Sequence, residues 1–295
     1  MLAQQVFNGV VMGAVYALFA LGLTLVFGMV KILNLAHGAV FMGGALVGLF
    51  AITQWNLSLP AAFGLAVLSG GVLSVLLELL VFRQLRHRQG DELGTVVASV
   101  GANLVLMTLA QQVTNAEILR FPFGVFPVQI FRGMGIRISL QDIAIISAVA
   151  LMVVALLIYL FRTEFGTQVR AVAVNERTST LLGINPDTVY LQIFFTAGVL
   201  AGAAGMVLGI AFNSVSYVMG EGIMLQAFVV IVLGGLSSVT GTVVAGVLIG
   251  VIQALATGYL SSELSETILF GILFLVLLVR PSGIFPGLHV EHRVA

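Results

Sequence analysis

One lysine, four scattered histidines and no cysteine leave this 295-residue chain poorly equipped for P-loop, zinc-hydrolase or thiol chemistry. A phosphate-binding loop needs a lysine directly after a glycine, so that its ammonium reaches the phosphates. Lys31 follows Val30 instead. Zinc hydrolases of the H-E-x-x-H type set two histidines around a glutamate on one helix face, and that pattern is absent. Lack of cysteine excludes disulfides and thiolate metal centres, and no G-x-S-x-G marks a serine nucleophile. No catalytic residue, metal ligand set or resident cofactor is therefore expected, and the chain is read as not being an enzyme. A formal net charge of zero removes a general case for binding nucleic acid.

Three polar places stand out. Glu78 stands within an apolar run about one turn before Arg83, where an ionisable group costs roughly 2.5–3.5 kcal/mol at mid-membrane. It reads as a carboxylate that pairs with arginine or reaches the cytoplasmic edge, in preference to a proton relay. Lys31 to Gly38 is a polar break in which Asn34 and His37 could meet a polar end of a solute beside an unwound turn. The competing reading, preferred for His37, is a cytoplasmic turn with Asn34 capping the next helix.

Thr163 to Val189 is a polar interruption between two long apolar segments. Ala171, Val174, Thr178, Leu181 and Leu182 recur at helical spacing on one side, with Arg170, Asn175, Glu176 and Arg177 away from it. Gly183 predicts a left-handed helix stop, and Asn185-Pro186 an N-cap and first position of the following helix. A structured charged knob between membrane spans is shaped to touch another protein. Arg170, Asn175, Glu176 and Arg177 are its candidates for that contact; Leu181, Leu182 and Gly183 would hold the helix on the membrane part.

These groups sit in a frame that is almost free of charge. Apolar residues make up 60% of the chain and charged ones 8%, and mean hydropathy is +1.16, far from the roughly 25% charge of soluble domains. The fold class is all-α, a polytopic transmembrane helical bundle of one domain over residues 1–295, embedded in lipid. Expected spans are 6–30, 38–53, 59–82, 94–114, 142–161, 190–212, 223–236, 241–260 and 267–279, giving eight or nine crossings. The second, seventh and last are short enough to be broken or re-entrant helices. Residues 4–29 read as a first span and not as a cleaved signal peptide. Gly198, Ala201, Gly202, Ala204, Gly205 and Gly209 form a close-packing face on the sixth span. Alternating the spans puts Lys31, Arg83, Arg86, Arg88, Arg162, Arg170, Arg177, Arg280 and Arg293 on one side and Arg120, Arg132 and Arg137 on the other. The first side is thus cytoplasmic, with the N-terminus outside. Gly38-x-Val40-x-x-Gly43 and Gly241-x-Val243-x-x-Gly246 echo one another, by internal repeat or by chance among 34 glycines.

Four stretches in order, NGVVMGAVYALFALGLTLVFGMVKILNLAHG, RAVAVNERTSTLLGIN, LGGLSSVTGTVVAGVLIG and LVLLVRPSGIFPG, resemble the permease subunits of branched-chain amino acid ABC importers of the Liv type. The resemblance spans nearly the whole chain. It implies a multi-pass protein of the bacterial inner membrane that pairs with a second, similar permease. It also implies two cytoplasmic ATPases that hold ATP and Mg, and an extracytoplasmic solute-binding protein. The 163–189 knob becomes the segment that couples to an ATPase, and Asn34, His37, Gly38, Glu221 and Gly241 become candidates for the translocation path, with Glu221 at an outer loop. Ala39, Leu79, Gln84, Thr240 and Gln253 depart from the family's common residues. They leave the solute open between branched-chain amino acids and urea, short amides or other small organic solutes. An ion-coupled carrier is the reading of another class.

Overall fold

The computed structural model describes residues 1–31, 33–87, 92–127, 129–133, 136–280 and 283–285. In lipid every backbone polar group must be satisfied within the protein, and an apolar sequence meets that demand as helix. Helix α1 spans Leu2–Val30, α2 His37–Thr53 and α3 Leu59–Leu77; a π-helical turn, Glu78–Phe82, continues α3 into α4, Arg83–His87. Then come α5 (Glu92–Thr114), strands β1 (Ile130–Gly133) and β2 (Ile136–Ser139), α6 (Leu140–Arg162), α7 (Glu164–Val174) and α8 (Glu176–Leu181). The chain continues through α9 (Pro186–Phe212), α10 (Met219–Gly234), α11 (Val239–Tyr259) and α12 (Ser262–Val279).

Among the described residues seven helices are long and apolar enough to cross a membrane: α1, α3 with its extension, α5, α6, α9, α11 and α12. The last starts at Ser262 and not near 267, because Ser261 caps it, its Oγ accepting from the Leu264 N–H at 3.2 Å. The antiparallel β1–β2 ribbon is a small exception to the all-α expectation.

Helices α2 and α10 run for only 17 and 16 residues, and each belongs to a broken unit. Helix α1 ends in the left-handed Lys31 (φ 56°), residues 33–36 turn back, and α2 begins with His37 against Gly22 of α1. Gly22 lies eight residues before Val30, so α2 starts about 12 Å inside the bundle at 1.5 Å per residue. Helix α9 likewise ends in a left-handed residue, Asn213 (φ 47°), residues 213–218 return, and α10 begins beside the start of α2. The two units, α1–α2–α3 and α9–α10–α11, point in opposite directions. Helix α1 packs along α11 as α3 packs along α9, and α2 crosses α9 as α10 crosses α1.

Backbone in the two returns is satisfied by neighbouring elements, which is the condition for irregular chain at membrane depth. Ser99 of α5 accepts from the Leu35 N–H at 3.2 Å, and the Asn34 Oδ1 accepts from the Ala36 N–H at 3.0 Å. Leu119 and Val215 exchange backbone bonds of 2.9 Å each, and the Phe121 N–H donates to the Asn213 Oδ1 at 2.9 Å.

The sequence echo between Gly38 and Gly241 does not mark this repeat, since it aligns α2 with α11 whereas the counterpart of α2 is α10. Small residues of α9 do form the expected packing face: Gly198 and Gly202 meet α3, and Gly205 meets α2.

One end of the bundle gathers the N-terminus, the ribbon and the 213–218 return. Gln4 bonds the Arg137 backbone there through both amide atoms, at 2.7 and 3.0 Å. Lys31, Arg83, Arg86, Arg162, Arg170, Arg177 and Arg280 lie toward the opposite end, which the positive-inside rule makes cytoplasmic. Arg88 and Arg293 fall outside the described residues. Parity survives the two short helices because each return plus its short helix completes one passage.

Candidate coupling and translocation site

The polar knob folds as two helices and not one. Thr163 caps α7, its Oγ1 accepting from the Gly166 N–H at 3.1 Å. Asn175 is extended (φ −159°, ψ 106°) and caps α8, its Oδ1 accepting from the Thr178 N–H at 2.9 Å. That break rotates α8 relative to α7 and undoes the single apolar face expected from the spacing. Gly166, Val169, Val172 and Ser179 are buried instead. Leu181 and Leu182 are 82% and 76% exposed, and Val174 is 68% exposed, so the two leucines do not hold the helix on the membrane part.

Gly183 takes φ +86°, the left-handed stop expected of it. Its N–H donates to the Thr180 carbonyl at 3.0 Å and the Ile184 N–H to the Ser179 carbonyl at 3.1 Å, which satisfies the last carbonyls of α8. Asn185 then caps α9, accepting from the Asp187 N–H at 3.1 Å, with Pro186 in the first helical position.

The polar candidates divide. Arg177 is exposed. Arg170 bonds Thr167 at 3.2 Å and lies 5.5 Å from the Phe161 ring. Asn175 is spent as a cap. Glu176 is exposed yet bonded within the chain: its Oε2 accepts from the Tyr190 hydroxyl at 2.8 Å.

Beside it stands a cluster that spacing alone did not assemble. Arg86 donates through Nη2 to the Glu78 Oε1 at 2.7 Å and to the Asp187 Oδ1 at 3.0 Å. Its guanidinium covers the Tyr190 ring at 4.1 Å. Arg83 donates to the Asp187 Oδ2 at 3.0 Å, and the His87 Nε2 lies 3.4 Å from that oxygen. Glu78 is thus arginine-paired, as expected, but with Arg86 and not the nearer Arg83; its side chain is fully buried. The π turn explains the choice, because it changes the register between Glu78 and the residues after it. Asp187 and Tyr190 escaped the sequence reading; only their place at the start of the span after the knob could have drawn attention.

Of the path candidates, Asn34, His37, Gly38 and Glu221 come together where α2 and α10 begin. Asn34 and His37 are buried, the imidazole centred 4.8 Å from the Phe19 ring. The region is a re-entrant return and not the cytoplasmic turn preferred for His37. Gly38 approaches Gly220 so closely that a Cβ added to it would lie 2.8 Å from the Gly220 carbonyl oxygen. Glu221, next in chain, sits exposed in the first turn of α10 and not in an outer loop. Gly241 is elsewhere, packed on Gly234 at the α10–α11 turn, and leaves the group.

Among the described residues no cluster of three His, Asp or Glu could hold a metal ion. Broken helices meeting inside an inverted pair of units are transport architecture. A family model described as "Branched-chain amino acid transport system / permease component" matches residues 5–278. The chain belongs to that permease family. Over 300 residues this permease is 31% identical to the high-affinity branched-chain amino acid transport system permease protein LivH of Salmonella typhimurium, covering 98% of this chain and 96% of the relative. Identity to BraD of Pseudomonas aeruginosa, a permease protein described in the same words, is 30% over 299 residues, 98% of this chain and 97% of that one. LivM of Salmonella typhimurium matches at 25% over 93% of this chain and 68% of its own length. No solved structure matches. The permease is a multi-pass protein of the inner membrane, a component of a transport system and not an enzyme by itself.

Proposed function

We propose that the permease is the membrane-spanning subunit of a binding-protein-dependent importer that moves branched-chain amino acids inward on ATP hydrolysed by partner subunits. The observation that carries this reading is α7–α8, which presents Val174, Leu181, Leu182 and Arg177 to its surroundings at the basic end. An apolar patch with charge beside it, outside the lipid, is an interaction surface. Two cytoplasmic ATPases holding ATP and Mg dock there, one on each of two permeases. The second permease is a different chain, as the likeness to both LivH and LivM supports. An extracytoplasmic solute-binding protein delivers the solute at the end that holds the ribbon. This chain contributes no nucleotide site, in keeping with its single, misplaced lysine.

The path runs past the starts of α2 and α10, by Asn34, His37, Gly38 and Glu221. An α-amino acid carries a carboxylate, which helix N-termini favour, and an ammonium that Glu221 can meet. ATP-driven closure of the ATPases shifts α7–α8 and opens the cavity inward, which a partner achieves by binding one state better than the other.

Reconstitution tests this. Liposomes carrying the permease with both ATPases, the second permease and the binding protein should accumulate leucine when ATP is supplied inside the lumen on the ATPase side. They should continue to do so after ion gradients are dissipated. Concentrative uptake by the lone purified permease would overturn the reading.

A further inference from the structure

We propose that Arg86 is the linkage that fastens the coupling segment to the third span, so that α8, the start of α9 and the π turn after α3 move as one body. The proposal rests on the reading of α7–α8 as the ATPase contact. Among the described residues an unbroken chain of polar contacts runs from that contact toward the membrane interior. Glu176, on exposed α8, accepts from the Tyr190 hydroxyl at 2.8 Å. The Tyr190 ring lies 4.1 Å beneath the Arg86 guanidinium. Arg86 holds Asp187 of α9 at 3.0 Å and Glu78 of the π turn at 2.7 Å. Arg83 adds a second hold on Asp187 at 3.0 Å.

Fastening alone does not explain this composition. Apolar residues of similar volume hold buried elements at least as well as an ion pair, because the pair must be stripped of water. What the charges add is direction. Arg86 has its plane on a tyrosine and its Nη2 shared between two carboxylates from two different elements, so a displacement of any one is felt by the others. The inner anchor is also where α3 can yield. A π turn is a local insertion in the helical register and one of the recognised places where a helix bends. A pull arriving through Arg86 therefore acts on the one described segment of α3–α4 that departs from regular α-helix. Glu176 accordingly acts as an internal positioning residue, joined to its own chain before it meets any partner.

The absence of native cysteine permits a direct test. Spin labels on Gln84→Cys and Thr180→Cys, both exposed positions, report the separation of α4 and α8 in the assembled importer. The expected result is the same distance distribution without nucleotide and in the ATP-trapped state, while labels on α8 and the ribbon end change theirs. Tyr190→Phe keeps the ring and removes the hydroxyl; it should uncouple the two labels and lower solute moved per ATP hydrolysed by roughly tenfold, the shift expected from losing one hydrogen bond to a charged group. Glu176→Ala should behave the same way. Glu176→Gln, which keeps an acceptor oxygen, should restore most of the coupling at equal expression and melting temperature. ATP-driven uptake with a label separation that changes between the two states would overturn the linkage alone. So would an unaltered transport-to-ATP ratio in Tyr190→Phe. Failure of the ATPases to copurify with the permease would instead overturn the functional reading beneath it.

Discussion

Removing either partner of the Glu78–Arg86 pair should have unequal consequences, and the inequality can be worked from burial. Glu78 has no exposed side-chain surface, while Arg86 retains 21% exposure and a second carboxylate, Asp187. Arg86→Met strands a buried carboxylate. Breaking such a pair costs about 3–5 kcal/mol, and the partial exposure of Arg86 points to the lower figure, about 3 kcal/mol. Asp187 is only partly affected, since Arg83 still holds it at 3.0 Å. Glu78→Gln keeps shape and an acceptor oxygen and leaves Arg86 bonded to Asp187, so its cost should be about 1 kcal/mol. The double variant Glu78→Gln/Arg86→Met removes the stranded charge and should be more stable than Arg86→Met alone. A coupling energy of about 2 kcal/mol is expected from the cycle. SDS-induced unfolding of the purified permease in detergent, followed by circular dichroism, measures all four proteins on one scale. If Arg86→Met proves no less stable than Glu78→Gln, Arg86 is not neutralising a buried anion and the reasoning fails.

Two further outcomes follow from the coupling segment. Gly183→Val places a β-branched residue at φ +86°, a conformation that costs L-residues on the order of 1–2 kcal/mol. It should loosen the end of α8 and reduce binding-protein-stimulated ATP hydrolysis, whereas Gly183→Asn should be milder; equal rates in the two would count against a strained cap. Leu181→Asp with Leu182→Asp alters two exposed side chains, so the melting temperature of the permease should stay nearly constant while copurification of the ATPase subunits falls. Loss of melting temperature with retained ATPase binding would place these leucines against the permease itself.

Much of this architecture is readable from local pattern. The existence and order of the spans follow from apolar runs with almost no charge, and two ends follow from local signals, the capping side chain of Asn185 and the left-handed backbone of Gly183. The gathering of basic residues toward one end is legible as well, since it depends on loop order and not on packing. The knob between α6 and α9 stands out by polarity, yet its buried face does not. Asn175 serves as a cap in mid-segment, and one extended residue was enough to turn Leu181 and Leu182 outward.

Composition and periodicity by themselves established a membrane bundle without thiols and with a structured polar knob at its basic end. These are properties of neighbours along the chain, set by hydration and by the period of the helix. Tertiary structure alone decided that His37 packs on α1 while Gly38 meets α10, that Arg86 and not Arg83 holds Glu78, and that α2 answers α10. Each of those depends on where distant segments cross, and helical spacing carries no information about a return of chain or a π turn that changes register.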